Sequence, residues 1–173
     1  MGYALLTLGR YRAAGRWMND WRQRPGLKMW MILNLSLAFR GARKWQEARE
    51  ALTYAMTLPE RDQTFQRLRL LLAMELAMAG ETQGASSHFH ELGATGWNRY
   101  MEMQYRLTKG VLAVQQTAAV EKKKVFRSER AAIRTAMGAQ RATTFAKDYR
   151  RCVMRMAKDA GLRWAGVVAW TGL

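Results

Sequence analysis

Apolar side chains recur at steps of three and four along most of this chain, and each series ends at a short polar or glycine-containing break. Residues 97–117 set Tyr100, Met103, Leu107, Val111 and Val114 on one line. Residues 119–138 offer Val125, Phe126, Ile133 and Met137, and residues 142–159 offer Phe145, Tyr149, Cys152, Val153 and Met156. These series have the period of an amphipathic helix, not the two-residue alternation of a strand. Gly138 and Gly161 read as helix stops, because glycine tolerates the left-handed conformation that ends helices. The chain has only two prolines and no sustained β-branched alternation. The pattern predicts an all-α protein.

The first 95 residues carry a longer period. Tyr11, Ala14 and Pro25 recur 34 residues later as Trp45, Ala48 and Pro59. Upstream of the second set stand Leu35, Ser36 and Phe39; downstream stand Leu52 and Ala55. The first set is flanked by Gly2, Leu5, Met18 and Trp21. After a slip of three residues the pattern returns as Leu72, Ala73, Leu76, Gly80, Ala85, Phe89 and Leu92, with Gly93 and Gly96 where the closing proline would stand. Two antiparallel helices approach closely where one presents a small residue to a large one, and Ala14, Ala48 and Ala85 are placed for that role. Pro25 and Pro59 cannot continue a helix, since proline lacks the amide donor and clashes with the preceding turn.

By these residues and this period the chain resembles the tetratricopeptide repeat family over residues 1–95. The resemblance implies an antiparallel helix-pair solenoid, a right-handed superhelix of three units. The first unit is truncated, because the chain opens inside its first helix, and upstream units are expected to be missing. Residues 96–173 then form a basic C-terminal helical extension that caps the array. A solenoid needs such a cap, since its last repeat otherwise exposes a face shaped for a neighbour. The final segment, with Trp164, Val167, Val168 and Trp170, either completes that cover or forms an exposed docking or membrane-contacting tail.

In this family the first helix of each pair lines a concave groove that receives a peptide or helix. The resemblance places Trp30, Leu33, Asn34, Leu37 and Arg40 in the groove from the second unit. It adds Arg67, Leu70, Leu71, Met74 and Met78 from the third, and Met101, Gln104 and Tyr105 from the helix that follows. One branch of the family clamps a terminal carboxylate with Lys, Asn and Arg at fixed positions. Asn34 and Arg67 match two of these, but Tyr3 and Leu71 replace others, so that activity is not implied. With 12 methionines in the chain, a methionine-rich lining suits an adaptable surface.

Charge adds a second candidate surface. The net charge is +16, with 13 basic and 8 acidic residues in 1–98 against 16 and 5 in 99–173. An excess of this size attracts acidic proteins, nucleic acid or anionic membrane. Lys123, Arg127, Arg130 and Arg134 fall on one helix face, and Lys147, Arg151, Arg155 and Lys158 repeat the arrangement on the next helix. Together they would form a cationic ridge for phosphates, or the solvated outer face of capping helices. Aromatic residues are not interleaved with these stripes, which weakens a single-strand-binding reading.

No catalytic constellation is present. His88 and His90 stand two apart and point to different helix faces, so they cannot chelate one metal. The glycines of 80-GETQG-84 belong to a repeat turn, not a phosphate loop. Ser86, Ser87 and His88 lack the acid and the nucleophile elbow of a hydrolase. Cys152 is the single cysteine; it reads as a buried structural thiol and implies no oxidising compartment. No run reaches the ~18 apolar residues of a spanning helix, and the N-terminus does not read as a signal peptide. The expectation is a cytoplasmic, non-enzymatic scaffold that binds a protein or peptide, with an acidic partner favoured, and needs no metal or cofactor. The alternatives are binding of nucleic acid or an anionic surface through the basic stripes, or an accessory role in a larger enzyme or assembly.

Overall fold

The computed structural model describes residues 2–93, 97–137 and 143–162, with side chains from 146 onward in the last segment. Among the described residues the regular structure is entirely helical, as the periodicity predicts. The helices are α1 (Gly2–Thr7), α2 (Tyr11–Trp17), α3 (Met29–Gly41), α4 (Trp45–Thr57), α5 (Gln63–Ala79), α6 (Thr82–His90), α7 (Arg99–Gln116), α8 (Lys122–Met137) and α9 (Thr143–Asp159). A single 3-10 turn, Trp21–Gln23, follows α2. The apolar C-terminal segment with Trp164, Val167, Val168 and Trp170 lies outside the described residues.

The chain divides into two compact units, residues 1–75 and 76–173, with the division inside α5. In the first, α1 packs on α2 and α3, α2 on α3, and α3 on α4. Its interior holds Met18, Trp21, Ile32, Leu35, Leu52, Phe65 and Leu68, all buried. In the second, α7 is the central helix and contacts α6, α8 and α9. Leu107, Val111, Val114, Phe126, Ile133, Val153 and Met156 are buried there, as is the thiol of Cys152.

The same reversal occurs three times. Gly9, Arg43 and Gly80 have φ of 68, 62 and 93°, in the left-handed region. The next residue in each case donates its N–H to a carbonyl five residues back. These bonds are Arg10 to Leu5 at 2.8 Å, Lys44 to Phe39 at 2.8 Å and Glu81 to Leu76 at 2.9 Å. This is the long hydrogen bond of a Schellman stop, which satisfies a carbonyl orphaned at the helix end. Five residues past each left-handed corner comes an alanine, and Ala14, Ala48 and Ala85 are all buried. The corners therefore carry the spacings of 34 and 37 residues that separate the alanines in the sequence. Gly161, with φ 68°, and Leu162, bonded to the Ala157 carbonyl at 3.0 Å, end α9 in the same way.

Two glycines allow closer approach still. A Cβ on Gly41 would overlap the ring of Tyr11, so that ring lies directly on the end of α3. A Cβ on Gly110 would stand 3.0 Å from Cδ1 of Ile133 and 3.3 Å from the Met156 sulfur, where α7 meets α8 and α9. Side chains also start two helices. The Asp62 carboxylate accepts from the Phe65 N–H at 2.9 Å at the head of α5, and Asn98 Oδ1 accepts from the Met101 N–H at 3.0 Å at the head of α7.

Two substitutions probe these corners. Ala48→Leu forces a larger side chain into a filled crossing and is expected to lower unfolding free energy by about 1–3 kcal/mol. Arg43→Gly removes the left-handed penalty of about 1–2 kcal/mol but adds glycine's chain entropy, and is expected to stabilise by about 0.5–1 kcal/mol. Urea unfolding of the full chain measures both; destabilisation by Arg43→Gly would contradict the backbone assignment.

Candidate functional site

Helix α3 presents only one narrow line outward. Met29, Ile32, Leu33, Leu35, Ser36, Ala38, Phe39 and Arg40 are buried, whereas Trp30 is 53% exposed and Asn34 and Leu37 are half-exposed. Positions 30, 34 and 37 differ by four and three, so these three side chains share one face. Of the residues that the repeat register places in a groove, this line is the part open to a ligand.

The others are used by the protein itself. Leu33 is buried, and so are Leu70, Leu71 and Met74. Helix α5 also buries Phe65, Leu68, Leu72, Ala73 and Ala77, which leaves it almost no outward face. Arg67 is half-buried and already engaged within the protein. Arg40, expected in the groove, lies inside: its Nε donates to Glu75 Oε1 at 2.8 Å, with the Glu75 side chain 1% exposed. The guanidinium also reaches the Met74 sulfur at 3.7 Å. Burial costs each ion several kcal/mol, which the mutual attraction offsets only in good geometry.

The positions suggested on α7 are closed too. Met101 and Gln104 are buried, and Tyr105 stacks on Phe89 with centroids 4.5 Å apart while Trp97 packs beside it at 4.8 Å. Among the described residues neither Nε2 nor Oε1 of Gln104 has a hydrogen-bond partner, although the residue is fully buried.

The two basic stripes differ from each other. On α8, Lys123, Arg127 and Arg134 are exposed and Arg130 is half-buried, on a line that runs beside buried Phe126, Ile133 and Met137. On α9 the ends of the stripe, Lys147 and Lys158, are exposed. Its middle is turned inward. Arg151 stands 3.9 Å from Asp148. Arg155 donates through Nε to Asp159 at 2.8 Å and through Nη1 to the Met78 carbonyl at 3.0 Å. Gln115 joins the same group, donating to Asp159 at 3.0 Å and to the Ala77 carbonyl at 2.8 Å, while its Oε1 accepts from Thr82 at 3.1 Å. The carbonyls of Ala77 and Met78 both belong to the last turn of α5, where carbonyls lack the usual helical donor; that of Ala77 also accepts from the Gly80 N–H at 3.1 Å. Arg155 is thus a structural cap for α5 and not a phosphate ligand. Gly80 belongs to this arrangement, because a Cβ there would stand 2.9 Å from the Arg155 guanidinium.

His90 holds its Nδ1 2.8 Å from the Ser86 carbonyl and 3.2 Å from the Ser86 hydroxyl, one turn back on α6. Among the described residues no group of three His, Cys, Asp or Glu is arranged to hold a metal ion, and no helix is long and apolar enough to cross a membrane.

A cleft of about 440 Å³ in the first unit has no counterpart in the sequence reading. Tyr11, Trp21 and Phe39 form its apolar part, and its rim carries Arg12, Arg16, Arg22, Lys44, Glu47 and Glu50. The acids are matched: Arg22 meets Glu50 at 2.6 Å and Lys44 meets Glu47 at 2.9 Å. The Lys44 hydrogen bond, helped by a backbone N–H, holds the Glu47 carboxyl below its ordinary pKa against a small opposing effect of burial. Lys44 and Glu47 are three residues apart, but the Arg22–Glu50 pair spans 28 residues and is not legible in a local pattern.

Comparison with protein-family models, curated proteins and solved structures finds no match to this chain.

Three variants separate the structural from the free groups. Arg155→Met takes the side-chain donor from the Met78 carbonyl and one of two donors from Asp159, and is expected to destabilise by about 1–3 kcal/mol, with little rescue by lysine, which lacks the planar fork. Arg127→Gln on α8 should change stability by under about 0.5 kcal/mol. Gln104→Met removes two unpaired polar atoms from the interior and should stabilise by about 1–3 kcal/mol. Thermal and urea unfolding distinguish these signs.

Proposed function

We propose that this chain is a non-enzymatic scaffold of tetratricopeptide-like helix pairs that binds a segment of another protein, an acidic one by preference. The three recurring left-handed corners and the alanines five residues beyond them support the repeat reading, because one helix-turn-helix geometry returns at the period seen in the sequence. The observation that carries the binding reading is Trp30. Its indole is 53% exposed on a helix that otherwise buries nearly all of its apolar side chains. An exposed tryptophan beside Asn34 and Leu37 combines a large apolar anchor with an amide that can fix register. Tryptophan is the residue type most enriched among side chains that dominate interface energies. The net charge of +16 favours acidic partners by steering their approach.

The test is affinity capture with the full chain, comparing wild type with Trp30→Ala and Asn34→Ala after nuclease treatment, at two salt concentrations. A protein partner held by the α3 face should be retained by wild type and lost about tenfold or more in Trp30→Ala, with melting temperature unchanged. Equal retention by Trp30→Ala would remove the α3 face from the function.

A further inference from the structure

A second cleft, of about 510 Å³, opens in the first unit beside the α1–α2 and α3–α4 corners. Its lining contains Arg10, Arg12, Arg16 and Arg43 and no acidic residue. All four arginines are exposed. Among the described residues none of the four has an ion pair, side-chain hydrogen bond or ring contact. This contrasts with the adjoining cleft, where Glu47 and Glu50 are matched by Lys44 and Arg22. Arg12 and Arg16 border both clefts and are matched in neither. Four like-charged guanidinium groups around one concavity repel each other, and the concavity adds their fields at its mouth.

Arg43 is the second observation. The three equivalent corners are occupied by Gly9, Arg43 and Gly80. Two of them use the residue that adopts positive φ without penalty. The corner at the cleft instead holds an arginine at φ 62°. Backbone strain kept at such a position points to a use for the side chain.

We propose that this cleft binds clustered phosphate groups through Arg10, Arg12, Arg16 and Arg43. The lining distinguishes phosphate from carboxylate. Apart from Tyr11, the uncharged residues there are Gly9, Ala13, Gly41 and Ala42, so the floor is small side chains and backbone. It offers no apolar pocket for the methylene groups that carry the carboxylates of an acidic peptide. Every cation is an arginine, whose planar fork meets two phosphate oxygens at once. A terminal phosphate group carries up to about two charges and three acceptor oxygens, so two or three linked phosphates balance four guanidinium groups. A free polyphosphate offers this charge in a short run, and a single-stranded nucleic-acid backbone offers it as one charge per phosphodiester over about four successive phosphates. The site is separate from the α3 line and does not depend on it.

The test uses the full chain and two probes, inorganic tripolyphosphate followed by calorimetry and a labelled mixed-sequence single-stranded oligonucleotide followed by anisotropy. Variants are Arg12→Gln/Arg16→Gln, Arg43→Gly, and Lys123→Gln/Arg127→Gln on α8 as a charge-matched control. Wild type should bind tripolyphosphate saturably and gain melting temperature with it. Arg12→Gln/Arg16→Gln should weaken binding by roughly tenfold or more, because each lost charge-assisted contact is worth about tenfold or more. Arg43→Gly should weaken binding while raising the melting temperature of the unliganded protein, a combination that general loss of structure does not produce. The control should bind as wild type does. Oligonucleotide binding that tripolyphosphate competes away assigns the ligand to a nucleic-acid backbone; tripolyphosphate binding alone assigns it to a free polyphosphate. No saturable binding of either probe, an equal loss in the α8 control, or a polyglutamate peptide binding as tightly as tripolyphosphate would each overturn the proposal.

Discussion

Two helices joined by two or three residues can lie along one another only if the chain turns sharply and the second helix begins with something small. The three short corners of this protein, before α2, α4 and α6, all meet that constraint in one way. The sharp turn is supplied by a single residue in the left-handed region, at Gly9, Arg43 and Gly80. The small residue follows five positions later, at Ala14, Ala48 and Ala85. Between corner and alanine lies little more than one helical turn, so the corner fixes which side of the second helix faces the first. Larger side chains then pack above and below the contact, and the helix ends are closed by hydrogen bonds within the corner itself.

The sequence made this skeleton readable because it is local. A corner, its alanine and the aromatic residue near it all fall within about two helical turns, and periodicity reports such relations directly. The three C-terminal helices are likewise where their apolar lines put them, at Arg99–Gln116, Lys122–Met137 and Thr143–Asp159. What the pattern leaves open is the fate of each face. Leu70, Leu71 and Met74 look like groove residues in the repeat register, yet all three are buried, as are Leu68, Leu72 and Ala73 on the same helix. Arg40 has Glu75 as partner 35 residues away, a distance over which no period speaks. Arg155 sits in a basic stripe by spacing. One sign of its other role was visible, Asp159 four residues on, but the Met78 carbonyl is 77 residues distant.

The distribution of charge is therefore less even than the total suggests. Some of the basic side chains are structural, with Arg40 and Arg155 holding buried or half-buried partners. Others form ordinary surface pairs, such as Arg24 with Asp20 and Arg106 with Glu102, which contribute little to stability in water. Other exposed cations stand on α8, at the two ends of the α9 stripe and around the corners of the first unit. A protein with this arrangement presents positive potential in patches, and the patches, more than the overall charge, decide where an anion is held.

Cys152 gives the protein a clock. It is the chain's single sulfhydryl, sealed among the apolar residues of α9. A thiol reagent can reach it only when the second unit opens. If closing is faster than the reaction, the modification rate at fixed reagent reports the opening equilibrium of that unit. The first unit contains no sulfhydryl and is silent in the same experiment. One chain, without labels or substitutions, thus reports whether its two halves come apart together or one before the other, when the rate is set beside the global unfolding free energy.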